Sequence, residues 1–262
     1  MDPTTEYQPV WIDLEGAANA RDVAGLPAGR GRTRPNVLLR ADALDALSAR
    51  DVAELADRRG LRHVVDLRSD GERAERGRGL LGERDAVRYT ELQIIDEGQL
   101  LQRRAEREQM LADGMPIAHI MADGYVQLLD WGASSFVTAF RAVTAHEGIP
   151  ALVHCSAGKD RTGVLVALLL GAGGVGTDAI VADYAATGER MAAVIARLET
   201  ASIFAGMAAA LPAFTFDAHP ETMRQFLAHL EHTWGGPVGW LSAQGVSGDE
   251  IVRWQHTLVD QA

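Results

Sequence analysis

Residues 154–163 read His-Cys-Ser-Ala-Gly-Lys-Asp-Arg-Thr-Gly and include the only cysteine of the chain. Cleaving a phosphate ester without a metal needs an ionised nucleophile, donors for three phosphoryl oxygens and a proton for the leaving oxygen. This segment supplies the first two. Five residues lie between Cys155 and Arg161, enough for the backbone to curl and turn its amides of Ser156, Ala157, Gly158, Lys159, Asp160 and Arg161 inward as an anion nest on a helix N-terminus. Gly158 tolerates the positive φ that such a curl needs. The planar fork of Arg161 then clamps two phosphate oxygens, which a lysine does not do. Inward amides, a helix N-terminus, Arg161 and Lys159 all favour thiolate at Cys155. Thr162 is placed to donate its hydroxyl to that thiolate, and His154 to hold the loop by side-chain hydrogen bonds.

Such a loop needs a strand to end at its cysteine and a helix to start near its arginine. Pro150-Ala151-Leu152-Val153 reads as the strand, and Val164 to Leu170 as an apolar helix. Upstream, Leu61 to Leu67 is a short apolar run after a helix, as in a buried strand of an α/β sheet. That helix has Ser48 as N-cap, Leu47 and Val52 at staple positions, and Gly60 at its end. Residues 17–43, rich in Gly, Pro and Arg, read as loops and short strands. A charged helix over 98–113 presents a solvated face. Residues 134–147 predict a helix capped by Ser134 and ended by Gly148. From Thr177 onward the pattern is helical throughout, with a Ser247/Glu250 capping box and Pro220 in a first turn. The Ala- and Met-rich stretch from Met191 to Leu211 suits either a packed helical pair or a mobile cover.

The wider composition narrows the function. At 262 residues with 47% hydrophobic and 23% charged content, the chain is of globular type. A net charge of −11 argues against a nucleic-acid partner, which normally demands a basic face. It leaves an anionic substrate open, because charges farther than a Debye length of about 8 Å are screened. One cysteine permits neither an internal disulfide nor a cysteine-rich metal site. The eight histidines are scattered and no His-x-x-x-His or Asp-x-Asp spacing offers a ligand set, so neither metal nor cofactor is expected. The longest apolar stretch, Gly163 to Gly176, is shorter than the roughly 20 residues of a spanning helix, so no stable membrane insertion is expected. Met1 to Pro9 lacks a basic start followed by an apolar run. The expected location is therefore the cytoplasm, or outside the cell by export without a signal peptide; oligomeric state is left open.

His-Cys-x-x-Gly-x-x-Arg-Thr-Gly resembles the signature of the cysteine-based protein tyrosine phosphatase superfamily, and the fuller loop resembles its atypical bacterial group. Asn19-Ala20-Arg21-Asp22 is similar to that group's N-x-R-D element, Val64-Val65-Asp66-Leu67-Arg68 to its D-L-R strand, and Val181-Ala182-Asp183-Tyr184 to its post-loop helix. Gly239-Trp240-Leu241 and Gly245-Val246-Ser247 resemble its ending. Ala20 departs from the usual aromatic, and Ala24 from a frequent Gly; both lie outside the loop. The resemblance implies an α/β fold: a mainly parallel central sheet flanked by helices, with a helical lid (188–215) and a helical C-terminal part, in a single domain over 1–262. It implies action on phosphotyrosine, often also on phosphoserine, phosphothreonine or phosphoinositides. The Lys159-Asp160 pair points to the broader range, since in similar lipid phosphatases a loop lysine meets additional headgroup phosphates.

The proton donor is the open assignment. Conventional tyrosine phosphatases take it from a Trp-Pro-Asp loop, and no such tripeptide occurs here. Asp160 is the first choice and Asp66, at a predicted strand exit, the second; bracing of loop amides or of Arg21 is the alternative role for Asp160, and a structural salt bridge for Asp66. Competing readings are a phosphoinositide-selective enzyme and a phospho-ligand binding module with weak turnover. Sulfur transfer fits poorly with the helical second half, and arsenate reduction lacks the further cysteines it needs.

Overall fold

The computed structural model describes residues 7–206 and 213–260. Its strands are β1 (Val10–Trp11), β2 (Arg21–Asp22), β3 (Pro27–Ala28), β4 (Gly31–Thr33), β5 (Leu38–Ala41), β6 (His63–Asp66), β7 (Arg88–Glu91), β8 (Ala151–His154) and β9 (Val259–Asp260). One sheet runs in the order β1-β2-β5-β8-β6-β7, and a small one in the order β3-β4-β9. β5, β8, β6 and β7 pair in parallel, while β1 and β2 extend the sheet antiparallel. This is the expected mainly parallel α/β core.

Parallel strands are covered on both faces, and the sequence shows it. Leu38, Val65 and Val153 belong to one buried cluster, whereas Leu39, Val64 and Leu152 belong to another. The two-residue period of a strand sends neighbouring side chains to opposite faces. The second face is closed by Leu44, Leu47, Val52 and Leu55. Val52 and Leu55 come from α1 (Ala49–Val52), which runs on into wider π-type turns over Ala53–Arg58. Ser48 caps α1 with Asp51 in a reciprocal box, and Gly60 follows at φ +66°.

The first face is closed by α5 (Ala133–Thr144) and α6 (Asp160–Ala172), after α2 (Asp70–Arg76), α3 (Glu97–Ala112) and α4 (Ile117–Trp131). α6 is buried from Thr162 through Leu170, the mark of a helix apolar all round. Each fully buried Leu or Val there contributes roughly 1.5–3 kcal/mol of hydrophobic stabilisation. Then follow α7 (Thr177–Ala186), α8 (Met191–Leu198), α9 (Pro220–Trp234), α10 (Gly236–Ala243) and α11 (Gly248–Leu258), of which α7, α10 and α11 pack against α6. Trp254 of α11 donates from its indole N–H to the Leu169 carbonyl (2.7 Å).

Two local expectations are corrected. Ser134 does not cap α5: the helix starts at Ala133 from Gly132 without a side-chain cap and stops at Thr144, with a 3-10 turn over His146–Gly148. The C-terminal part is not wholly helical, because β9 returns to pair with β4. The expected lid (188–215) contains α8 and 3-10 turns at Thr187–Arg190, Ser202–Phe204 and Ala213–Phe216; residues 207–212 of it, including Leu211, lie outside the described residues.

Candidate active site

β8 is the central strand, and its register sets the site. Ala41 and Asp66 both stand opposite His154, so the chain leaves β5, β6 and β8 at one level. Clefts of parallel sheets form at these carboxyl ends. Cys155 follows directly, 2% exposed.

The loop after it is held from outside through its carbonyls. Ala43 N–H donates to the Ser156 carbonyl (3.0 Å). Asn19 donates from its side-chain amide to the carbonyls of Ala157 and Gly158 (3.2 and 3.3 Å), and Arg40 donates to Gly158 (2.8 Å). In a planar trans peptide the N–H points opposite to the C=O. Outward carbonyls at 156–158 therefore turn the amides of Ala157, Gly158 and Lys159, three of the six expected from sequence, away from these partners. Gly158 has φ +67°, and a Cβ there would stand 2.4 Å from the Ala41 carbonyl oxygen. Both the conformation and the space demand glycine.

The outer brace converges on Asp183 of α7. Its carboxylate meets Arg21 Nε at 2.9 Å and Arg40 at 2.6 Å, with all three side chains at most 1% exposed. Arg21 also donates to Thr187 (2.9 Å) and to the Asn19 side-chain oxygen. Burial works against ionisation of Asp183, yet the two guanidiniums hold it below the usual carboxylate range. Burial, with Arg40 beside it, pushes Arg21 down. Arg21 thus sits behind the loop, acting on it through Asn19. Arg40 and Asp183 complete this brace; Asp183 was noticed only within a motif, and Arg40 carried no local signal.

The inner brace is different. Arg161 donates two hydrogen bonds to Glu72 (2.6 and 2.8 Å) and one to the Leu67 carbonyl (3.2 Å). Glu72 also accepts from the Ser156 hydroxyl and from Ser69 N–H. Burial opposes its ionisation, but Arg161 and these donors hold its pKa down to about 2. Arg161 itself is pushed up despite burial, by Glu72 beside it. Sequence reasoning missed Glu72. Its signal was readable: Ser69-x-x-Glu72 is a capping box at the start of α2, three residues after the Asp66 strand.

Asp66 is buried and committed. It accepts from Arg68 at 2.7–3.0 Å, and His154 Nε2 lies 3.7 Å away. Burial resists its charge, but His154 and Arg68 drive its ionisation well below the carboxylate range. His154 faces the Cys155 carbonyl through Nδ1 (3.1 Å), and burial pushes its pKa down. The Thr162 hydroxyl is buried with no hydrogen-bond partner among the described residues.

Asp160 begins α6. Its carboxylate accepts from the Tyr125 hydroxyl (2.9 Å), lies 3.7 Å from the Lys159 ammonium, and stays 31% exposed. Burial disfavours its charge, but Lys159, Arg103 and Tyr125 outweigh that and lower its pKa. Lys159 departs from its expected place. It is 3% exposed and donates to the Thr215 carbonyl (2.7 Å), with the Asp217 carbonyl at 3.5 Å. Its ammonium ties the segment before α9 to the loop, and burial lowers its pKa.

α8 covers the rim. Met191, Val194 and Leu198 form a small buried cluster with Phe216, against which Ala157 and Ala18 pack. Arg197 reaches Asp42 (3.5 Å) and the Ala43 carbonyl (3.2 Å). Among the described residues no helix is long and apolar enough to cross a membrane.

Comparison with known proteins bears on this arrangement. The tyrosine phosphatase family profile matches residues 12–260. The "triple specificity protein phosphatase PtpB" of Mycobacterium tuberculosis is 32% identical over 203 residues, covering 71% of this chain and 72% of that protein. A "putative tyrosine-protein phosphatase" of Cupriavidus necator is 32% identical over 182 residues, covering 69% of this chain and 64% of its own length. A "tyrosine-protein phosphatase" of Nostoc commune is 28% identical over 197 residues, 73% of this chain and 64% of that protein. With the match running from just after β1 to the end of β9, and the three braced arginines Arg21, Arg40 and Arg161 inside it, the chain belongs to the tyrosine phosphatase family, a family of enzymes.

Proposed function

We propose that this enzyme hydrolyses phosphotyrosine through a cysteinyl-phosphate intermediate. One observation carries the reading: Cys155 directly follows the central strand, at the mouth of a loop whose carbonyls at 156–158 are engaged outward, with the Arg161 fork fixed beside it by Glu72. The Cys155 sulfur attacks phosphorus in line. The inward amides and Arg161 take the charge on the phosphoryl oxygens. The phosphorus–oxygen bond of the ester breaks, its electron pair stays on the leaving oxygen, and Asp160 delivers the proton. Water then attacks the sulfur-bound phosphoryl group, giving its proton to Asp160 and releasing the Cys155 thiolate. Because Asp160 is held ionised in the free protein, its proton arrives with the substrate: a phosphate anion in the nest opposes a second negative charge nearby and raises the acid's pKa. Asp66 has the structural role, since its carboxylate is fully used by Arg68.

Broader specificity is the second reading, favoured by the similarity to the M. tuberculosis triple specificity protein phosphatase. A phosphoinositide would add phosphates near Lys159, which here serves the Thr215 carbonyl instead. Phosphotyrosine is therefore the preferred substrate class, with 1–262 acting as one phosphatase unit. The test is vanadate-sensitive phosphate release from a phosphotyrosine peptide, phosphoserine and phosphothreonine peptides, and a phosphoinositide in vesicles. We expect the phosphotyrosine peptide to be turned over fastest. A higher kcat/KM on the phosphoinositide contradicts that order, and no release from any of them contradicts the catalytic reading.

A further inference from the structure

Behind Asp160 runs a buried chain of two phenols that the chemistry above does not use. Tyr125 of α4 donates to Asp160 Oδ1 at 2.9 Å, and the hydroxyls of Tyr125 and Tyr184 are 2.7 Å apart. Tyr125 is 0% and Tyr184 1% exposed. Both rings are locked: they meet edge-on with centroids 6.0 Å apart, and Phe226 meets Tyr125 edge-on at 5.9 Å. A Cβ on Gly163 would stand 3.2 Å from the Tyr184 ring, so the helix start packs closely on this ring. A phenol has one proton. Facing a carboxylate, Tyr125 gives that proton to Asp160 and accepts from Tyr184, so the chain has one polarity: Tyr184 to Tyr125 to Asp160. Burial pushes the ionisation of both phenols up, which keeps them donors.

We propose that Tyr125, backed by Tyr184, is a positioning residue for proton transfer at Asp160. The proposal rests on the reading of Asp160 as the acid. By occupying Oδ1, Tyr125 leaves Oδ2 to carry the proton. As the ester bond breaks, that proton moves to the leaving oxygen and Asp160 becomes a carboxylate. A hydrogen bond to a carboxylate is stronger than one to a carboxylic acid, so the Tyr125 contact tightens along the reaction and favours the transition state over the bound substrate. The other groups facing Asp160 are Lys159 and Arg161 of its own loop and Arg103 of α3, all cationic; Tyr184 also faces Arg40. Tyr125 adds direction to a field these charges already make.

The experiment is the pH dependence of kcat on phenyl phosphate, a poor leaving group, and on p-nitrophenyl phosphate, an activated one. Variants are Tyr125→Phe, Tyr184→Phe, Asp160→Asn and the Tyr125→Phe/Asp160→Asn pair. Tyr125→Phe keeps the ring, and we expect it to cost roughly tenfold on phenyl phosphate and to move the high-pH limb up by about one unit, the size of one hydrogen bond to a charge. The limb moves up because the carboxylate loses a stabilising donor. p-Nitrophenyl phosphate should be slowed much less, Tyr184→Phe should act in the same direction more weakly, and Tyr125→Phe should change nothing further once Asp160 is Asn. Equal slowing of both substrates, or an undiminished effect in the Asp160→Asn background, overturns the role of the tyrosines alone. A parent-like rate and pH profile for Asp160→Asn on phenyl phosphate overturns the acid assignment, and the proposal with it.

Discussion

Two arginine–carboxylate sites flank the same loop and do different work. On the inner side Arg161 faces Glu72, with its side chain 14% exposed. On the outer side Arg21 and Arg40 share Asp183 with almost no exposure. The chemistry of the pairs is alike, and the difference is access. The inner fork spends part of its hydrogen bonding on Glu72 while remaining partly exposed, which is what the proposed phosphate recognition requires. The outer pair is sealed, so its charges can only hold the shape that keeps the loop carbonyls outward.

Breaking the inner site without unfolding it should have the largest effect on rate. Arg161→Lys keeps a cation for Glu72 but loses the fork; kcat on a phosphotyrosine peptide should fall roughly 10²–10³-fold, the cost of removing one oxyanion donor, with the thermal midpoint nearly unchanged. The outer site should respond the opposite way. Asp183→Asn leaves two buried guanidiniums without a counter-charge and should cost about 3–5 kcal/mol in urea unfolding, with kcat of the folded fraction affected far less than by Arg161→Lys. A large kcat loss at unchanged stability for Asp183→Asn would merge the two sites into one.

Glu72→Gln sharpens the comparison through pH and is the smallest effect. Glu72 is lowered from 4.5 to about 2 by folding, so its contribution is complete above pH 4.5 and lost as pH falls towards 2. That shift corresponds to at most about 3 kcal/mol at neutral pH. The stability gap between parent and Glu72→Gln should therefore close on acidification between those values, measured by chemical denaturation. A gap independent of pH across that window contradicts the ionic role of Glu72.

Legibility from sequence followed distance along the chain. The loop from His154 to Gly163 was readable because its parts are consecutive and each residue type answers to a local demand: glycine for positive φ at 158, arginine for a fork, an apolar run for α6. The buried strands were readable from short apolar runs between a helix and a turn. Glu72 and Asp183 were harder, because their partners lie 89 and 162 residues away, and no local period marks a carboxylate that will be buried beside an arginine. Lys159 shows the same limit in reverse. Its side chain was expected at the substrate, but the Thr215 carbonyl competes for it, and nothing near Lys159 announces that neighbour. β9, two residues long, carries too little pattern to separate it from the end of a helix.

The central claim is that phosphate leaves the substrate on sulfur. Cys155→Ser tests it most directly, with binding and turnover of one phosphotyrosine peptide measured side by side. The account predicts peptide binding close to the parent's and no measurable phosphate release; release at the parent's rate would contradict it.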